Sequence, residues 1–209
     1  MQSPTHAEMT AELAATCPAL AAVQRRFGPP PPSRRSPGLA TLIRIILEQQ
    51  ISIRAADTIY RRLATELGRV SATALVDAGE TTLRGCGLTR QKAHYCVELG
   101  RAIRQRRFSI TQVARLPDEA ALAALTALKG IGPWSAAVYL MMALGRPDIW
   151  PPGDLALDRA ALQLLPDGTT DPAQIAARWA PLRSIAADFL WHYYRQTNAL
   201  TTKLIVTVD

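Results

Sequence analysis

The residues this chain uses sparingly narrow its chemistry first. Its three cysteines, Cys17, Cys86 and Cys96, are odd in number and form no Cys-x-x-Cys pair, so neither a disulfide framework nor a structural zinc site is indicated. Three are also too few for a four-cysteine iron–sulfur cluster. His6, His94 and His192 are scattered along the sequence, and their spacing suggests no metal or triad site. No Gly-x-x-x-x-Gly-Lys-[Ser/Thr] loop occurs, which leaves nucleotide hydrolysis on a phosphate loop unsupported. The longest uncharged apolar run, residues 136–144, is shorter than the about 20 residues a bilayer span requires. Residues 1–10 carry no basic region followed by an apolar core, the mark of a secretory signal. A soluble intracellular protein is expected.

Lysine is scarce too: Lys92, Lys129 and Lys203 are the only lysines among 24 basic residues, which outnumber 17 acidic ones for a net charge of +7. An arginine-dominated positive surface favours an anionic partner, although a merely solvated basic surface has the same composition. Against these shortages, 48% hydrophobic content over 209 residues suffices for a sizeable core in one large or two small domains.

Read in order, residues 8–27 predict one helix, ended by Gly28 and a Pro-rich break at 29–32 with Arg34 and Arg35 beyond; this is linker chemistry. Residues 37–50 predict an apolar helix. Ser52 opens another, with Ala56, Ile59, Tyr60, Leu63 and Leu67 at helical spacing. The adjacent glutamines of the intervening turn, Gln49 and Gln50, are of a type usually solvated or hydrogen-bonded at such places. A short helix is predicted over 71–78, a glycine turn over 83–87, and a longer helix capped by Thr89. Arg101, Arg104, Arg106 and Arg107 gather at its end, a place that favours cations on structural grounds alone. Residues 117–128 predict the next helix. Asp171-Pro172 and Pro181 each open a further one, the second carrying Phe189, Trp191, Tyr193 and Tyr194. Residues 203–208 read as a β-like tail. The class is all-α.

The stretch around which the chain is organised runs from Leu128-Lys129-Gly130-Ile131-Gly132-Pro133-Trp134-Ser135-Ala136 to Pro151-Pro152-Gly153-Asp154-Leu155. It predicts helix, glycine hairpin, helix, turn, carboxylate, helix. Gly130 and Gly132 flank one apolar residue, so positive φ is expected in the hairpin, with N–H groups turned outward. Pro133 suits the first position of the following helix, whose positive end favours a phosphate. Asp154 precedes the helical pattern of 155–165 and is an N-cap candidate. Two roles stay open for it: a cap only, or a cap whose negative charge also acts on what the hairpin holds.

These residues resemble the signature of helix-hairpin-helix DNA glycosylases, and of the 3-methyladenine DNA glycosylase II family in particular. The likeness extends to Ile46-Leu47-Glu48-Gln49-Gln50-Ile51-Ser52, to Gly87-Leu88-Thr89-Arg90-Gln91-Lys92-Ala93, and to Trp179-Ala180-Pro181-Leu182-Arg183-Ser184 leading to Trp191. The resemblance implies two helical subdomains with an active-site cleft between them. Residues 1–36 would form an N-terminal helix and Pro-rich linker packed on the helical core, 37–200 the glycosylase domain with its hairpin at 126–145, and 201–209 a C-terminal tail. The β-sheet domain that many relatives carry at the N-terminus is not expected, since the chain before Leu39 has neither the length nor the alternating pattern.

The activity so implied is base-excision repair: an alkylated base, 3-methyladenine or 7-methylguanine, is flipped out of double-stranded DNA and hydrolysed from its sugar, leaving an abasic site. Flipping costs roughly a few kcal/mol. A methylated purine is already cationic, so it leaves as a neutral base with little general-acid help. Trp134, Trp191 and Tyr139 are implied as walls of the base pocket, where a cation over an aromatic face gains about 0.5–2 kcal/mol; large aromatics are equally common as core anchors. Asp154 is implied as the catalytic group, stabilising an oxocarbenium-like sugar, activating water, or both.

Lys129, Gly130, Ile131 and Gly132 are implied as the DNA-binding hairpin, with Na⁺ or K⁺ shared between its backbone carbonyls and a DNA phosphate. No side-chain metal ligand, organic cofactor or iron–sulfur cluster is implied. Gln50 is the implied probe that fills the gap left in the duplex. Trp134 stands where bifunctional relatives carry a nucleophilic lysine, which implies a monofunctional enzyme. Val138 stands where some relatives have an aromatic residue and Gly153 where some have a second acid; a more open site is implied, extending to 1-methyladenine or 3-methylcytosine. The partner would be double-stranded DNA containing alkylated bases, with no membrane, and the chain a monomer in the cytoplasm or nucleoid. The alternatives are a non-catalytic helix-hairpin-helix DNA-binding module and a glycosylase for another damaged base.

Overall fold

The computed structural model describes residues 4–165, 169 and 171–206, with the side chains of Pro172 and residues 199–206 outside the description. Every regular element among the described residues is a helix. In chain order these are α1 (His6–Thr16), α2 (Pro18–Phe27), α3 (Leu39–Glu48) and α4 (Ile53–Leu67), followed by α5 (Ala72–Gly85) and α6 (Arg90–Arg104). The short α7 (Ile110–Val113) leads to α8 (Asp118–Thr126), α9 (Pro133–Met142), α10 (Leu155–Leu164), α11 (Pro172–Ala177) and α12 (Arg183–Val206). No helix among the described residues is long and apolar enough to cross a membrane.

The chain divides into two compact units, one built from Met1–Arg34 and Gly145–Asp209, the other from Arg35–Leu144. The boundary between the units at 144 falls inside the 37–200 glycosylase domain, expected from sequence as two helical subdomains, and the first unit is discontinuous. Within it, α1 and α2 both pack on α12. His6 Nε2 lies 3.0 Å from Asp188 Oδ2, and His192 Nε2 lies 3.2 Å from the Phe27 carbonyl. The expected single helix over 8–27 is two helices, because Cys17 is extended (φ −122°, ψ 103°). Pro18 explains the break: proline disfavours the helical region at the residue before it and offers no N–H to continue the ladder.

Helix α12 carries the unit. It starts at Arg183, two residues after the Pro181 expected to open it, and it continues to Val206. The β-like tail is thus corrected over 203–206; residues 207 and 208 lie outside the described residues. Each β-branched residue costs a helix only a few tenths of a kcal/mol, and neither Gly nor Pro occurs after Pro181 to stop elongation.

In the second unit α3 is the central rod, burying Leu42, Ile43, Ile45, Ile46 and Leu47, and it packs on α4, α6 and α9. Ser52, Ser71 and Thr89 cap α4, α5 and α6 through side-chain oxygens that accept from N3 backbone N–H groups. The expected short helix over 71–78 is the first half of α5, which kinks at Gly79 and runs on to Gly85. Gly100 lets α6 approach α5: a Cβ there would stand 2.9 Å from the Ala72 carbonyl oxygen. Of the basic cluster ending α6, Arg101 pairs with Glu98, Arg104 with Asp77, and Arg107 donates to Gln105, so these three are engaged with neighbouring side chains.

Candidate active site and nucleic-acid interface

In the first unit the loop before α10 is pinned by α12. Arg183 grips Asp148 through Nε and Nη2 at 2.7 and 2.9 Å, and its backbone N–H adds a third bond at 3.2 Å. These bonds hold the Asp148 carboxyl below the usual aspartate range. Ser184 donates its backbone N–H to the Pro147 carbonyl; its hydroxyl donates to the Ile149 carbonyl and accepts from the Ile149 N–H. Trp150 stacks on Trp179, with centroids 5.8 Å apart. A loop held at so many points delivers Asp154 to a defined place.

Asp154 is the N-cap of α10: Oδ1 accepts from the N–H groups of Ala156 and Leu157 at 3.0 and 3.1 Å. Its second oxygen, Oδ2, accepts from Trp191 Nε1 at 3.2 Å. Trp191 is 8% exposed and meets the carboxylate with the edge of its ring, the bond lying in the plane of the indole. One turn on, Asp158 has its carboxyl pushed up, by burial first and by the charge of Asp154 second. Leu155, immediately after Asp154, is 69% exposed.

In the second unit the hairpin joins α8 to α9. Gly130 takes φ +84°, and a Cβ there would stand 2.2 Å from Tyr95 Cδ2; both the backbone and the close approach of the ring require glycine. Gly132 departs from the expectation, with φ −83° and ψ 175°. As the N-cap of α9 it adopts the extended conformation caps favour, and Pro133 stands next to it at the first helical position. Ile131 is buried while Lys129 and Gly132 are exposed. Trp134 is half-buried in the first turn of α9, where N–H groups lack intrahelical acceptors.

Tyr139 is corrected. It is fully buried, and its hydroxyl accepts the Gly38 N–H at 3.1 Å; burial pushes its phenol up. Five positions after Trp134, it lies about 140° around the helix, facing the core.

The turn between α3 and α4 assigns each residue of its motif a place. Glu48 pairs with Arg35 at 2.8 Å. Lys92 Nζ donates to the carbonyls of Leu47 and Gln49, both at 2.7 Å, and this burial lowers its ammonium from the usual lysine range. Gln49 Nε2 donates to the Gly130 carbonyl at 2.8 Å and to Ser135 Oγ at 3.3 Å. Gln50 alone among these stands out into solvent, on a backbone of φ +60°, with Ile51 and Ile53 beside it 38% and 69% exposed. A depression of about 770 Å³ is lined by Gln49, Gln50, Thr89, Lys92, Tyr95 and Gly130 among others. Sequence reasoning misses Gln49, Lys92 and Tyr95 as parts of this arrangement; their motifs are visible, their pairings are not. Among the described residues no group of His, Cys, Asp and Glu could hold a metal ion. A cation at the hairpin would therefore rest on main-chain carbonyls, of which Leu128 accepts from the Ile131 N–H and Gly130 from Gln49, each keeping a second lone pair.

Among known protein families, the model of the HhH-GPD superfamily base excision DNA repair protein matches residues 43–181. A Bacillus subtilis protein, YfjP, named as a candidate DNA-3-methyladenine glycosylase, is 26% identical over 162 residues, covering 72% of this chain and 56% of its own. A Mycobacterium tuberculosis sequence carrying the name AlkA, a bifunctional transcriptional activator/DNA repair enzyme, is 32% identical over 165 residues, covering 71% of this chain and 32% of its own. The chain thus spans about half or less of the length of these relatives. The crystal structure of DNA-3-methyladenine glycosidase from Bacillus halodurans superimposes with a TM-score of 0.76 at 28% identity, covering 92% of this chain and 90% of that one.

Proposed function

The chain belongs to the HhH-GPD superfamily of base excision DNA repair proteins, and from that premise we propose that it is a monofunctional DNA glycosylase acting, as a monomer, on alkylated bases in double-stranded DNA. The observation that carries this is Asp154, whose carboxylate receives two backbone N–H groups and the Trp191 indole N–H. A cap needs only the backbone bonds; the indole fixes the remaining oxygen. The relatives named for 3-methyladenine release supply the lesion class.

In this mechanism the hairpin Lys129–Gly132 and the start of α9 grip a phosphate, and Gln50 enters the duplex where the damaged nucleotide leaves it. Exposed Ile51 and Ile53 beside Gln50 support insertion among bases. Trp134 offers its face to the cationic base. The C1′–N bond breaks, its electron pair neutralises the departing purine, and Asp154 stabilises the oxocarbenium-like sugar. Water adds to C1′ and its proton passes to the Asp154 carboxylate or to solvent. With Trp134 in place of an amine, no Schiff base forms and the strand stays intact. Na⁺ or K⁺ held by hairpin carbonyls would neutralise part of the phosphate charge. Gly153, which places no second acid beside Asp154, would leave room for 1-methyladenine and 3-methylcytosine.

The test is incubation with DNA methylated at random, then chromatography of free bases. Released methylpurine is the expected result. Binding without release would instead make the chain a non-catalytic DNA-binding module.

A further inference from the structure

We propose that Gln49, not only Gln50, is required for base extrusion: Gln49 is a positioning residue that locks the probe turn to the phosphate-gripping hairpin, so that seating the hairpin on the backbone sets the depth of Gln50. This rests on the glycosylase function proposed above.

Donor and acceptor chemistry orients the Gln49 amide. A backbone carbonyl only accepts, so the Gln49 group 2.8 Å from the Gly130 oxygen is its NH₂. The same nitrogen reaches Ser135 Oγ, in the first turn of α9. One side chain therefore touches both the hairpin and the helix behind it. From the other side, Lys92 fixes the Leu47 carbonyl in the last turn of α3 and the carbonyl of its C-cap, Gln49, where a cation also meets the negative helix end. The Gln49 main chain is held by α6 and its side chain by the hairpin. The next residue, Gln50, has a left-handed backbone that a non-glycine residue keeps only when its surroundings enforce it. The hairpin's own turn is fixed by the same helix, since Gly130 rests on the ring of Tyr95 from α6. Probe turn, hairpin and α6 form one closed set of contacts, of which Gln49 is the direct link between the two parts expected to touch DNA.

A double-mutant cycle tests this. Single-turnover release is measured from a duplex oligonucleotide carrying one 7-methylguanine, using wild type, Gln49→Met, Gln50→Ala and the pair. Met keeps the length of the side chain and loses the donor. The expected result is about a tenfold loss for Gln49→Met in the wild-type background, less than about twofold in the Gln50→Ala background, and an affinity for undamaged duplex within about twofold of wild type. An equal loss in both backgrounds, or no loss in either, overturns the proposal. If Gln49→Met fails to give a cooperative melting transition, Gln49→Glu, which sets a carboxylate oxygen against the Gly130 carbonyl, runs the same cycle with the same two outcomes. Absence of release by wild type overturns the glycosylase function and this proposal with it; release by wild type with additive losses overturns this proposal alone.

Discussion

Trp191 Nε1 donates to Asp154 Oδ2 across 3.2 Å, joining α12 to the carboxylate that opens α10. Replacing the indole by phenyl retains most of the packing and removes the donor. Hydrogen bonds to charged groups contribute about 1.5–3 kcal/mol, so Trp191→Phe should slow base release by about ten- to a hundredfold while DNA affinity stays within about twofold. Single-turnover rates and a binding titration on the same duplex check this; a parallel loss in both would mean that Trp191 acts through folding.

Gly130 and Tyr95 make a second pair that can be separated by mutation. Gly130→Ala places a Cβ 2.2 Å from the ring on a backbone of φ +84°, and the expected destabilisation is about 2–4 kcal/mol. In a Tyr95→Ala background the ring contacts are gone but the Cβ of residue 95, 2.8 Å away, stays, so the destabilisation should fall while remaining above the backbone penalty of about 1 kcal/mol. Denaturant unfolding of the four proteins measures the difference.

Asp148 predicts a pH dependence. Its folded pKa lies below the unfolded value of 3.8, because of the Arg183 hydrogen bonds. A depressed carboxylate pKa contributes stability that is fully present above the unfolded value and is lost as pH falls through the folded one. Asp148→Asn should therefore lower stability by about 1 kcal/mol near neutrality, the magnitude being limited by the partial exposure of Arg183. The gap between the two proteins should close below pH 3.8. Melting temperatures of both across about pH 3 to 7 decide it; a gap that stays constant would assign the effect to packing.

Local signals are legible in this sequence, and long-range ones are not. Thr89, Ser52 and Asp154 announce helix starts by side-chain type, and Pro133 by its missing N–H, because caps and first turns are decided within a single turn of chain. The Cys17–Pro18 break is equally local, but the apolar spacing on either side of it masks it. Two glycines in one hairpin invite positive φ at both, yet only Gly130 takes it, since composition marks a flexible position without saying how it is used. Residue type draws Tyr139 toward the pocket, although its position on α9 turns it to the core. Gln49 and Gln50 are adjacent and identical, and only the placement of Gly130 and Ser135, more than eighty residues on, distinguishes the brace from the exposed side chain. The split at 144 likewise depends on which distant segments pack on α12.

The most direct measurement is base release from methylated DNA by wild type and by Asp154→Asn, with alkali added afterwards to reveal abasic sites. Asparagine caps helices about as well as aspartate, so the fold should persist and the loss should be chemical. Wild type should yield free methylpurine, with strand breaks only after alkali, and release by Asp154→Asn should be at least about a hundredfold slower. Equal release by the two proteins would contradict a catalytic role, leaving Asp154 as a cap and nothing more.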